Sequence, residues 1–140
     1  GSQTEKLKQL AQEKLPKGSY QFLGFQAGKD NQQNYFTSRI YVSIPTTDGT
    51  SISLLESLAY GCLPIVSDLP ANKEWIEDGV NGIISSGDLS KDVERILQMD
   101  AASVQERNKT IIDQKATKDS NRKKFSAIYD AIFSGAAFKA

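Results

Sequence analysis

The chain punctuates itself into short apolar runs, each closed by glycine or proline and separated from the next by residues at helical spacing. Ile40-Tyr41-Val42-Ser43-Ile44 is stopped by Pro45, and Leu63-Pro64-Ile65-Val66 lies between Gly61 and Pro70. Tyr20 to Phe25 is bounded by Gly18 and Gly28, and Gly82 to Ser85 is a fourth such run. All are too short for helices and rich in strand formers. None alternates apolar with polar residues, which is the pattern of strands covered on both faces. Between them, Leu7, Leu10, Ala11 and Leu15 mark a helix over 4–15, and Asp30 is placed to cap a short helix through Phe36. Ile52, Leu54, Leu55, Leu58 and Ala59 mark a largely buried helix over 51–60, with Gly61 where a left-handed cap belongs. A short helix over 70–77 ends at Gly79. Strand and helix in alternation predict an α/β fold: a Rossmann-like parallel sheet of about four strands flanked by helices.

After Asp88 the pattern is helical only, over about 89–98, 101–116 and 119–134, with Asp100 and Asp119 as expected caps. We read 1–140 as a single domain, with an α/β part over 4–98 and a helical tail over 99–134. The 17 basic and 17 acidic residues of the chain cancel, which disfavours nucleic acid as a partner. The balance is uneven along the chain. Residues 42–99 carry three bases and nine acids, whereas 100–140 carry eight bases and five acids. Histidine is absent, which removes Ser-His-Asp and Cys-His chemistry and His-based zinc sites. The one cysteine, Cys62, forms no internal disulfide and suits a reducing, cytoplasmic setting, where a structural role is expected of it. No run reaches the roughly 18 apolar residues of a membrane span, and no signal pattern opens the sequence.

Parallel α/β sheets bind ligands beyond the carboxyl ends of their strands, so the loop after Ile44 is the most informative. There Asp48-Gly49-Thr50-Ser51-Ile52-Ser53-Leu54-Leu55-Glu56 runs from loop into helix, with two carboxylates eight positions apart. Gly49 permits close backbone approach, and free amides at the helix start suit a phosphate or sugar oxygen. A structural reading competes. Asp48-Gly49 is a common turn pair, and Ser53-x-x-Glu56 matches a capping box in which Glu56 would serve only its own helix.

Five segments in order carry a family resemblance: Phe22-Leu23-Gly24-Phe25; Tyr41-Val42-Ser43-Ile44-Pro45; Asp48 to Gly61 with Pro64-Ile65-Val66-Ser67-Asp68; Glu74-Trp75-Ile76; and Gly79-Val80-Asn81-Gly82. Over roughly residues 4–98 the chain resembles the C-terminal, donor-nucleotide-binding lobe of retaining GT-B glycosyltransferases, the family that includes sucrose synthase and bacterial mannosyltransferases. Its E-x7-E signature corresponds to Asp48 through Glu56, and its E-A-M-A-x-G helix to Glu56-Ser57-Leu58-Ala59-Tyr60-Gly61.

The resemblance implies a nucleotide-sugar-dependent hexosyl transfer with retention, in bacterial polysaccharide or glycolipid synthesis. Glu56 takes the place of the glutamate that bonds the ribose hydroxyls, and Asp48 that of the one beside the donor sugar. Thr50, Ser51 and Ile52, after Gly49, match the stretch whose amides face sugar and diphosphate. The loop after strand 20–25, with Gly24, Phe25 and Gln26, matches the part framing the base. No cofactor or metal is implied, in keeping with the absence of Asp-x-Asp. Two departures stand out: Asp48 is one methylene shorter than glutamate, and Gly49-Thr50-Ser51 replaces Gly-Phe-Gly.

Relative to the family, an acceptor lobe and two strands of this lobe, with the Arg and Lys that grip the diphosphate, do not precede residue 4. The resemblance therefore implies a truncated lobe that is inactive alone, with the sugar or lipid-linked acceptor held by the missing lobe. In the family strand order 3-2-1-4-5-6, strands 20–25 and 40–44 would flank the gap. We expect the gap to be closed by movement of the first strand or filled by chain exchange in a dimer. Lys118, Arg122, Lys123 and Lys124 offer peripheral contact with anionic lipid at the inner membrane face, against a simple solvated helix face. A non-catalytic α/β module docking partners through its helical tail is the alternative function.

Overall fold

The structure, a computed structural model, describes residues 3–134. They form ten elements: α1 (Thr4–Lys14), α2 (Gly28–Thr37), β1 (Ile40–Ser43), α3 (Ile52–Ala59), β2 (Leu63–Val66), α4 (Pro70–Lys73), β3 (Ile83–Ile84), α5 (Leu89–Leu97), α6 (Ala101–Lys115) and α7 (Lys118–Phe133). The chain divides within α2 into two compact units, one ending at Asn31 and the other beginning at Gln32.

The second unit is the α/β body. Its sheet is parallel, in the order β1-β2-β3, with Ser43 level with Val66 and Val66 level with Ile84. All four residues of the central strand β2 are buried, as its unbroken apolar run requires. Helices cover both faces. Leu63, Ile65 and Ile83 pack with Ile96 of α5 and Val104 of α6, while Val66 packs with Leu54 and Leu58 of α3 and with Ile76. Each of these buried side chains is worth roughly 1.5–3 kcal/mol relative to exposure.

Proline in a central strand is unusual, because it lacks a ladder donor. Here Leu63 and Ser67 turn their N–H groups toward β1, donating to Arg39 O and Ser43 O, so position 64 faces the other side, below the start of β3. The ring fills that space against Gly82, where a Cβ would lie 2.6 Å from Pro64 Cγ. Gly61 (φ +83°) ends α3 as expected, with Cys62 N–H donating to Ser57 O.

The sheet has three strands, not about four. Residues 20–25 join no ladder among the described residues, so the strand expected there does not form. Gly24 at φ +66° turns the chain out of extended geometry, and Phe25 is 92% exposed. Strand propensity alone does not hold a strand without a neighbour to supply hydrogen bonds and cover. Smaller corrections concern caps. Helix α2 starts at Gly28, placing Asp30 in its first turn. The helix after β2 spans only Pro70–Lys73. Asp100 does cap α6, but α7 is capped by Thr117, whose side chain accepts from Ser120 N–H, and Asp119 sits in the first turn.

Candidate functional site

Because the three strands are parallel and in register at Ser43, Val66 and Ile84, the segments 44–51, 67–69 and 85–88 leave the same edge of the sheet. The first feeds α3, whose N-terminus is built from hydroxyls. Ser51 is the N-cap, accepting from Leu54 N–H at 3.4 Å. Ser53 Oγ shares hydrogen bonds of 2.8 Å with Ser51 Oγ and with the Tyr41 hydroxyl at the adjoining strand. This chain fixes the start of the helix to β1. It also means that Ser53 is engaged elsewhere, so the capping box with Glu56 does not form.

Glu56 is consequently left half-buried on α3, and its carboxylate makes no hydrogen bond or ion pair among the described residues. Asp48 is exposed and accepts from its own neighbour, Gly49 N–H, at 2.9 Å. Among the described residues, the main-chain N–H groups of Thr50, Ser51 and Ile52 have no partner. Outward-facing donors at a helix start carry partial positive charge and favour anionic oxygens. A free carboxylate one turn further on is an acceptor for hydroxyl groups. The segment can therefore bind a ligand that carries both an oxyanion and neighbouring hydroxyls.

Of the expected site residues, the structure brings Asp48, Gly49, Thr50, Ser51, Ile52 and Glu56 together on this loop and helix start. Gly24, Phe25 and Gln26 lie in the other unit, in a turn where Gln26 Nε2 donates to Leu23 O at 2.7 Å. Glu74 is exposed, and its carbonyl accepts from Lys115 Nζ at 3.5 Å. Trp75 packs against the Leu54-Leu58 cluster, with Lys115 Nζ 6.0 Å from its ring centroid. Cys62 is buried, its thiol donating to Tyr35 O and Ser38 O, and burial pushes its pKa up. This is a structural cysteine rather than a nucleophile.

Sequence reasoning missed the hydroxyl chain from Tyr41, whose partner is twelve positions away. It also missed Asp92. Fully buried in α5, Asp92 accepts from Ser85 Oγ (2.6 Å), Ser86 Oγ (2.9 Å) and Ser86 N–H (3.1 Å), so it pins the segment leaving β3. Burial alone would raise its pKa. The bonds from Ser85 and Ser86, with the Arg95 guanidinium 4.0 Å away, outweigh that and hold it below the usual carboxylate range. Among the described residues, no group of three or more Cys, Asp or Glu side chains could hold a metal ion.

A helix start that presents amides and a free carboxylate at the carboxyl edge of a parallel sheet fits the family to which the sequence conforms. Residues 1–118 match the model of the family described as glycosyl transferases, group 1. The chain belongs to the group 1 glycosyl transferases. No curated protein matches it. Membership makes the chain part of a transferase that moves a glycosyl group, in a family that in general binds a nucleotide-sugar donor and an acceptor. The α/β body with its small parallel sheet, flanking helices and C-terminal helices is consistent with a Rossmann-like piece of such an enzyme. Among the described residues, no helix of this glycosyl transferase is long and apolar enough to cross a membrane.

Proposed function

We propose that this chain is the donor-binding lobe of a retaining, nucleotide-sugar-dependent hexosyltransferase of the GT-B type. It would act in the cytoplasm, at the inner membrane face, in building a polysaccharide or glycolipid. The observation that carries the reading is the half-buried Glu56 carboxylate, which has no partner among the described residues and lies one turn beyond the amides of Thr50, Ser51 and Ile52, unpaired among them too. Diphosphate oxygens would take the amides, where the helix start favours negative charge. Ribose hydroxyls would donate to Glu56. Asp48 would leave Gly49 N–H and turn toward the sugar, where a carboxylate stabilises positive charge developing at the anomeric carbon. Gly24, Phe25 and Gln26 would frame the base. The chemistry calls on no cofactor and no metal.

Residues 42–99 carry three bases against nine acids, so this lobe opposes a dianionic diphosphate unless cations from elsewhere in the enzyme offset the field. We therefore expect the 140-residue chain to bind nucleotide weakly and to transfer no sugar by itself. The test is calorimetric titration with a nucleoside diphosphate and its 2′-deoxy counterpart, using the wild-type chain and Glu56→Gln. Charged hydrogen bonds contribute about 1.5–3 kcal/mol each, so Glu56→Gln should weaken ribonucleotide binding roughly 10- to 100-fold and erase the preference over the deoxy form. Equal binding of both nucleotides by both proteins would remove Glu56 from the site.

A further inference from the structure

Three pairs in the sequence carry the chemistry of cyclic imide formation, in which a glycine nitrogen attacks the side-chain carbonyl of the residue before it: Asp48-Gly49, Asp78-Gly79 and Asn81-Gly82. Glycine leaves that nitrogen unhindered, because no Cβ stands beside it. In an unfolded chain asparagine reacts fastest of the three, since an amide leaves as ammonia more readily than a carboxyl leaves as water. The fold treats the three unequally. Asn81 is 1% exposed, and its side chain accepts from Glu77 N–H at 2.7 Å and donates to Trp75 O at 2.9 Å and Asn108 Oδ1 at 2.7 Å. Asp78 is held at both oxygens, by Ile84 N–H and by Arg95 Nη2, each at 2.8 Å. The nitrogen that would attack it is engaged too, Gly79 N–H donating to Gly82 O at 2.9 Å. Asp48 is exposed, and its hydrogen bond among the described residues comes from Gly49 N–H, which places the attacking nitrogen 2.9 Å from Oδ1. Beyond the chain neighbours of Gly49, no heavy atom lies within 4 Å of where a Cβ of that residue would stand, so the loop has room for the ring to close.

We propose that Asp48 is the residue at which the folded chain forms isoaspartate, ahead of both Asn81 and Asp78. From the protonated carboxyl, Gly49 N bonds to Asp48 Cγ, the nitrogen gives up its proton, and the carboxyl OH leaves as water. Water then opens the imide. Attack at Cγ restores aspartate, whereas attack at the main-chain carbonyl carbon breaks its bond to nitrogen and leaves the chain running through Cβ and Cγ. One water leaves and one enters, with no change of oxidation state. The product has an extra main-chain methylene between β1 and α3 and a carboxylate drawn back by the same length, on the segment that leads into the start of α3. The inference is independent of the nucleotide reading, because the reaction needs only water.

The test is incubation of the 140-residue chain in neutral buffer, folded and in urea, followed by peptide mapping that separates isoaspartate from aspartate. Labelling by an isoaspartyl carboxyl methyltransferase gives a second readout. In the folded chain isoaspartate at 48 should accumulate at least about tenfold faster than at 78, and Asn81 should remain an amide, since those two sites must first break their hydrogen bonds. In urea the order should invert, with Asn81 converting first and Asp48 and Asp78 reacting at similar rates. Gly49→Ala, whose Cβ meets no neighbour, should keep the native circular dichroism and slow the reaction at 48 by hindering the nitrogen. Three results would overturn the proposal: conversion of Asp78 or Asn81 ahead of Asp48 in the folded chain; equal rates there at 48 and 78; or no isoaspartate at 48 in the folded chain while the chain in urea forms it.

Discussion

The buried pair Asn81 and Asn108 offers the sharpest test of how the body is held together. Asn108, fully buried in α6, donates through Nδ2 to Asn81 O at 3.0 Å and accepts at Oδ1 from Asn81 Nδ2 at 2.7 Å. Asn81 in turn accepts from Glu77 N–H at 2.7 Å and donates to Trp75 O at 2.9 Å. One pair of amides thus fastens the turn before β3 to the long helix. Asn108→Ala deletes both hydrogen bonds between the helix and the turn. It leaves the Asn81 carbonyl without its donor and one N–H of Asn81 Nδ2 without its acceptor. Unmet buried groups cost about 1–3 kcal/mol each, so we expect a loss of about 2–4 kcal/mol. That is a large fraction of the 5–15 kcal/mol typical of a domain. In urea, with a slope of about 1–3 kcal/mol per molar, the midpoint should fall by about 1–2 M. Fluorescence of the single tryptophan, Trp75, in the same turn, reports the transition directly. Asn81→Ala should cost more, because it also frees Glu77 N–H and Trp75 O. The double variant should lose less than the sum, by about 1–2 kcal/mol, since the two side chains share bonds. A loss below about 0.5 kcal/mol for Asn108→Ala, or strict additivity, would refute this account of the network.

Gly82→Ala should be destabilising by about 1–3 kcal/mol in the same assay, because the new Cβ would lie 2.6 Å from Pro64 Cγ and 3.0 Å from Pro64 O. A wild-type midpoint would show that the Pro64 contact yields freely. Asp92 predicts the acid limb of stability. Its pKa is lowered on folding, so its contribution is fully present above the unfolded value of about 3.9 and is lost as pH falls through the lower, folded value. Urea midpoints measured across that window should fall for the wild type and fall less steeply for Asp92→Asn, which should already be weaker at neutral pH. Parallel curves would assign the acid limb to other carboxylates. Tyr41→Phe removes one end of the hydroxyl chain and should cost about 0.5–1.5 kcal/mol while leaving α3 capped by Ser51.

Much of the body was legible because its signals are local. Gly61 closing α3, Asp100 capping α6 and the buried run of β2 each depend on a few neighbouring residues whose conformational preferences agree. Tyr20 to Phe25 had comparable strand propensity but no flanking partner, and its fate depended on a pairing that propensity does not encode. The candidate site was legible only as a set of alternatives. Spacing singles out Asp48 and Glu56 as candidates and the family resemblance suggests their roles, yet Ser53-x-x-Glu56 also matches a capping box. What rules out the capping box is Tyr41, a residue on another element that engages Ser53, while Ser51 caps the helix. Asp92 carried no signal, because a lone aspartate on a helix normally faces water and its burial depends on two serines brought in by β3.

The central claim, that the start of α3 receives the donor's diphosphate and ribose, is tested most directly by amide chemical shifts during titration with a nucleoside diphosphate. We predict that the amides of Gly49 to Leu54 and of Glu56 move together along one saturable curve, with those of Gly24 to Gln26 following it. Saturation that perturbs other surfaces and leaves Thr50, Ser51, Ile52 and Glu56 still would contradict the claim.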